Sequence, residues 1–150
     1  MTLAQYVRRR TGLPLGANGS LEAMLGRAFG ARSFAGFWRY WNPIFGYYLL
    51  YRVYTPTSKV VPRPVALVVT FLACGALHDA VTLAVRGSTA FLFTTIFAFF
   101  AGGVLLGEAA RLDLSRAPRP ARAAIHLAYL ASCILAAYAL RAAVPGWLSL

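Results

Sequence analysis

Val65-Ala66-Leu67-Val68-Val69-Thr70-Phe71-Leu72-Ala73-Cys74-Gly75-Ala76-Leu77-His78-Asp79-Ala80-Val81-Thr82-Leu83-Ala84-Val85 is the stretch that decides the fold. It contains no Lys or Arg and a single acid, and at ~20 residues per crossing it is long enough to span a bilayer as one helix. A His-Asp pair inside such a run is expensive. Asp costs ~2.5 to 3.5 kcal/mol at a membrane helix centre, so a use or a partner is expected for it, and His78 and Asp79 are functional candidates. On a helix Cys74, His78 and Thr82 follow one another at i,i+4, so His78 would face a slightly polar stripe, with Gly75 opening space one turn before His78. Asp79 itself is turned ~100° from His78, so it is expected to meet an arginine or a backbone donor on a neighbouring element. Residues alone leave two roles open for the pair: a buried polar clamp that orients helices, or catalysis.

Working outward, composition fixes the class. Of the 150 residues 59% are hydrophobic and 13% charged, and mean hydropathy is +0.62. A chain of this size cannot hide so much apolar surface in one water-soluble core, whereas a bilayer accepts it. The sequence therefore reads as an integral membrane protein. Its 15 Lys plus Arg against 4 Asp plus Glu are almost all arginine, and Lys59 is the sole lysine. These cations flank apolar runs, as positive-inside topology requires, so nucleic acid is not expected as a partner. Cys74 and Cys133 lie in apolar helices, which argues against a disulfide framework. No metal-ligand spacing appears, and no resident cofactor is expected. Arg8-Arg9-Arg10 is followed by Gly and Pro instead of an apolar run, unlike a signal peptide, so this segment is expected to stay on the mature protein.

Two more runs, 89 to 107 and 123 to 144, are long enough to cross. The segment 43 to 54 is shorter, ends near Arg52, and is crowded with Tyr47, Tyr48, Tyr51 and Tyr54, which suits an interfacial or re-entrant helix. The expected architecture is all-α: three transmembrane helices over about 65 to 85, 89 to 107 and 123 to 144, plus an N-terminal amphipathic or re-entrant aromatic helix. A basic arm over 1 to 32 precedes a helical membrane domain over 33 to 150. With three crossings, thirteen Lys and Arg side chains fall on one side and only Arg86 and Arg141 on the other. That bias places the N-terminus in the cytoplasm and the C-terminus opposite, in what the Ala- and Arg-rich composition suggests is a bacterial inner membrane. Gly103 and Gly107, and Ala124, Ala128, Ser132 and Ala136, are spaced for close helix approach.

Upstream, Phe37-Trp38-Arg39-Tyr40-Trp41-Asn42-Pro43 is the second informative segment. Phe34, Trp38, Trp41 and Phe45 would share one helical stripe, with Arg39 and Asn42 on another. Asn42 before Pro43 also has the form of an N-cap followed by Pro at the first helical position.

Together these residues resemble the membrane-bound O-acyltransferase family, especially its wax-synthase-like branch. The likeness runs through Ser33-Phe34, Phe37-Trp38-Arg39-Tyr40-Trp41-Asn42, Tyr54-Thr55-Pro56, and Phe71 with Gly75 and His78, and it covers roughly residues 20 to 85. In that family an Asn, Asp or His in the aromatic segment and a downstream intramembrane His form the catalytic pair. The resemblance implies these roles for Asn42 and His78, which lie 36 positions apart, with substrate contacts at Trp38, Arg39, Trp41, Arg52 and Asp79. It implies acyl transfer from acyl-coenzyme A, as co-substrate, to an alcohol. Two departures stand out: Asp79 follows the His where many members have Gly, and the chain matches only the C-terminal part of a larger helical core. The alternative is a non-catalytic membrane subunit or scaffold of the same fold, packed as a homo-oligomer or in a larger membrane complex within the lipid bilayer.

Overall fold

The computed structural model describes residues 1–87 and 91–143, and all its elements are helical. In order they are α1 (Leu3–Thr11), α2 (Ser20–Phe29), α3 (Phe34–Tyr40), α4 (Pro43–Leu49), a π-helical turn (Leu50–Tyr54), α5 (Thr55–Thr57), α6 (Arg63–Arg86), α7 (Leu92–Ala109) and α8 (Arg119–Ala143). The last three are long and apolar enough to cross a membrane. Their 24, 18 and 25 residues correspond to ~36, ~27 and ~38 Å of helix, against a hydrocarbon core of ~30 Å. The chain is an integral membrane protein with aromatic-rich N-terminal helices. Thr89 and Ala90 of the expected second span, and Val144 of the third, lie outside the described residues.

Helix α7 packs between α6 and α8, and each junction has a different lock. At one end of the α6–α7 pair, Arg63 donates twice to Glu108, Nη1 to Oε2 and Nη2 to Oε1, both at 2.9 Å. At the other, Asp79 Oδ1 accepts from the Phe93 backbone N–H at 3.1 Å and Oδ2 from that of Thr94 at 2.8 Å. Those amides belong to the first turn of α7, whose preceding residue Phe91 adopts a left-handed conformation at φ 48° and carries no side-chain oxygen to cap them. Asp79 supplies the missing cap from across the interface. A carboxylate at a helix N-terminus, facing its positive dipole end, is a stable arrangement even when 3% exposed. The backbone donor expected for Asp79 is thus found. The residue sits two turns from the C-terminal end of α6 instead of at its centre, because the helix begins at Arg63 and runs on to Arg86.

Gly75 makes that cap reachable. It lies on the Asp79 face one turn earlier, and a Cβ there would come 2.6 Å from Thr94 Cα and 2.8 Å from the Phe93 carbonyl oxygen. The α7–α8 junction uses the same device with a side chain as the knob, the Tyr129 ring filling the space over Gly103, and against α3 the Phe34 ring lies 3.1 Å from a Cβ built on Gly107. Both glycines therefore face protein. The Ala124, Ala128 and Ser132 stripe does not; it is exposed, and α8 buries His126, Tyr129, Cys133 and Ala137 instead. Close approach here needs a slot on one helix only, and α8 contributes the bulky partner.

Residues 1–32 carry α1 and α2, which pack on α3 and α4. Asn42 breaks the expected aromatic stripe. Its backbone is left-handed at φ 40°, its Oδ1 accepts from the Phe45 N–H at 3.2 Å, and Pro43 starts α4, so α3 and α4 are two separate helices joined by a turn in place of one helix. Phe34 and Trp38 stay on the inner face of α3 while Phe45 moves to α4. Helix α4 reaches far along α6: the Phe45 ring centroid is 6.2 Å from that of His78, ~22 Å up α6 from Arg63. The π-turn after α4 also packs on α6.

Loop 110–118 is organised by Arg122. Its Nε donates to Ala117 O at 2.8 Å, Nη2 to Ser115 O at 2.8 Å and Nη1 to Gly30 O at 3.1 Å, tying the loop and the α2–α3 connection to the start of α8. In the same loop Asp113 accepts from the Ser115 N–H and hydroxyl, at 2.8 and 2.9 Å; the backbone bond, then the hydroxyl, hold its carboxyl below the usual range.

Candidate functional site

Between the N-terminal helices and the α6–α7 pair lies a cavity of about 310 Å³. Asn42 and His78 both line it, as do Trp38, Arg39 and Trp41. Arg52 and Asp79 do not belong to its wall. Arg52 is exposed on the π-turn, and the Asp79 carboxylate is turned to the first turn of α7.

His78 is held by its own helix. Nδ1 lies 2.8 Å from the Cys74 carbonyl oxygen, and a carbonyl only accepts, so this contact puts the proton on Nδ1. In the neutral ring the lone pair then resides on Nε2. Three rings fix the imidazole: Phe97 at 5.2 Å, Phe93 at 5.5 Å and Phe45 at 6.2 Å between centroids. The side chain remains exposed and adjoins the cavity. Chemically this is a positioned proton acceptor in an aromatic surround.

Asn42 has half of its amide committed. Oδ1 caps α4, while Nδ2 keeps N–H groups to offer. Trp38 spends its polar atom within the fold, its Nε1–H donating to the Tyr129 hydroxyl at 3.0 Å, which in turn donates to Phe100 O at 2.7 Å. Its ring, wedged against Phe71 and Phe100, forms cavity wall. Trp41 stacks on Phe37 with centroids 5.4 Å apart. The Trp-Asn segment is thereby braced from behind and open in front.

Along α6 the lining residues are Arg63, Leu67, Thr70, Phe71, Cys74 and His78, so the cavity follows one helix face for ~22 Å. Charged side chains from α1, α3, α6 and α7 also line it: Arg10, Arg39, Arg63 and Glu108. The wall is thus largely aromatic and aliphatic around His78, with Arg63 and Glu108 at the far end of the same two helices. The cavity thus has a long apolar body with a polar end.

Several of these residues lie outside what sequence reasoning selects. Arg63 and Glu108 carry a legible signal, opposite charges just inside the adjoining ends of antiparallel spans. Arg122 carries another, a cation in the first turn of a helix, against the dipole. His126, fully buried with Nε2 3.1 Å from Ala31 O, and Tyr129 belong to the brace behind Trp38. Among the described residues no three His, Cys, Asp or Glu side chains gather as metal ligands, and both cysteines are free. Comparison with family models, with curated proteins and with solved structures gave no match to this chain.

Proposed function

We propose that this chain is an O-acyltransferase of the membrane-bound type, moving an acyl group from acyl-coenzyme A to the hydroxyl of an alcohol. The observation that carries the reading is that Asn42 and His78, distant in sequence, line one largely apolar cavity. The alcohol gives its proton to His78 Nε2 as its oxygen attacks the thioester carbonyl. The C–S bond then breaks, the ester leaves, and the proton returns from Nε2 to the coenzyme A thiolate. Asn42 Nδ2 donates to the carbonyl oxygen as negative charge grows on it. Trp38, Trp41, Phe71 and Phe97 exclude water that would otherwise compete as acceptor. The test is release of free coenzyme A thiol from palmitoyl-coenzyme A by purified protein. Release should depend on added long-chain alcohol and match ester formed mole for mole; thiol release independent of alcohol, or none, would reject the reading.

The second reading is a non-catalytic subunit of a larger membrane assembly. It is favoured by the structural employment of two of the candidate side chains, Asn42 in capping α4 and Asp79 in capping α7. Stable copurifying chains together with no ester would favour it over the first.

Under either reading we place the protein in a cytoplasmic membrane with the N-terminus inside. Arg63, Glu108 and the 110–118 loop share one end of the bundle, as the Arg63–Glu108 pair requires. Cysteines introduced at positions 18 and 115 should both react with an impermeant maleimide added from the cytoplasmic side. Labelling from opposite sides would contradict three crossings with that charge bias.

A further inference from the structure

Three arginines and one carboxylate line the cavity: Arg10, Arg39 and Arg63 against Glu108. Arg63 is tied to Glu108 by two parallel bonds of 2.9 Å, the fork geometry with which guanidinium also grips phosphate. Arg39, exposed, lies near enough to Glu108 to act on its charge. Arg10 packs over the Tyr6 ring, its Cζ 4.8 Å from the centroid, and its Nε is buried without a hydrogen-bond partner among the described residues. A cavity whose wall is otherwise largely apolar thus carries two cationic side chains beyond what its carboxylate balances, and one buried guanidinium donor left unspent. Such a charge set suits an anion, and the apolar remainder suits the chain attached to it.

We propose that this cationic part of the cavity binds the phosphate-bearing headgroup of an anionic amphiphile, and that Glu108 holds Arg63 as an internal stand-in for that headgroup. When the phosphate arrives, Arg63 exchanges one bidentate acceptor for another while Arg39 and Arg10 gain a partner. Removing the stand-in therefore frees Arg63 and tightens binding; removing Arg39 loosens it. The acyl-coenzyme A donor proposed above is one source of such a headgroup, and a phospholipid is the other. The inference rests on the cavity being a substrate site but not on ester chemistry.

Binding of dodecyl phosphate and of dodecanol to the purified protein in neutral detergent tests it. Dodecyl phosphate is expected to bind at least about tenfold more tightly, the worth of one or more charge-assisted hydrogen bonds. Glu108→Gln should tighten dodecyl phosphate several-fold, and Arg39→Gln, at an exposed position with little bearing on folding, should weaken it by about tenfold. Neither should move dodecanol. His78→Ala should retain phosphate selectivity, so binding without ester formation sinks only the enzyme reading, and ester formation without phosphate selectivity sinks only this one. Displacement of dodecyl phosphate by palmitoyl-coenzyme A assigns the site to a thioester donor; displacement by phosphatidic acid but not phosphatidylcholine vesicles assigns it to a lipid. Displacement by neither, equal binding of the two dodecyl probes, or an unchanged ratio in both charge variants would overturn the proposal.

Discussion

Gly75→Leu is expected to lower the melting temperature of the detergent-solubilised protein by on the order of 10 °C, a larger loss than any other single substitution in α6. The atoms that a side chain at 75 meets are backbone, Thr94 Cα at 2.6 Å and Phe93 O at 2.8 Å, and backbone cannot rotate away. The start of α7 must move off α6, costing ~1 to 3 kcal/mol as overpacking. Asp79 then loses the Phe93 and Thr94 amides it bonds at 3.1 and 2.8 Å, a further ~1.5 to 3 kcal/mol for bonds to a charged group. Gly102, where an added Cβ meets nothing within 4 Å, is the control, and Gly102→Leu should melt within a few degrees of wild type. Equal melting of the two variants would remove the Gly75–Asp79 lock from the description of the fold.

His78→Ala is expected to cut acyl transfer by ~100-fold to 10,000-fold, the usual worth of a general base. Stability should change little. The ring bonds only within its own helix, to Cys74 O at 2.8 Å, and its neighbours Phe45, Phe93 and Phe97 can close over the space left. Measuring kcat and melting temperature on one preparation separates the roles. A rate unchanged while the protein stays folded would deny His78 the proton transfer. A collapse in melting temperature with the rate per folded molecule intact would make it a clamp.

The three spans were legible because length and apolar content suffice to identify them, and their ends shift by only a few residues. Asp79 was legible for a different reason. A carboxylate in an apolar run must be compensated, so a partner on a neighbouring element follows from cost alone, although cost does not say which element. Asn42-Pro43 was legible as a cap from local chemistry, and the turn it makes also explains why the Phe34-Trp38-Trp41-Phe45 stripe does not survive as one face. What stayed hidden depends on contacts between distant segments. Periodicity in α8 offers a small-residue stripe and a His126-Tyr129-Cys133-Ala137 stripe, and only the slot over Gly103 decides which turns inward. Arg122 is legible as a cation set against the dipole of α8, whereas the three backbone carbonyls that converge on it are not. For the cavity, the aromatic segment and His78 were legible, whereas Arg10, Arg63 and Glu108 join the wall only because α1, α6 and α7 meet there.

The central claim is that Asn42 and His78 act on one substrate in one cavity, and a double-mutant cycle on kcat/KM for acyl transfer tests it most directly. Asn42→Ala, His78→Ala and the double variant are compared with wild type, each checked for folding, because loss of the α4 cap alone costs ~0.5 to 2 kcal/mol of stability. Residues that serve the same transition state are strongly non-additive. The double variant should therefore be about as slow as the worse single variant, leaving a coupling energy of ~1 kcal/mol or more. Strictly additive losses, or single variants as fast as wild type, would contradict a shared site.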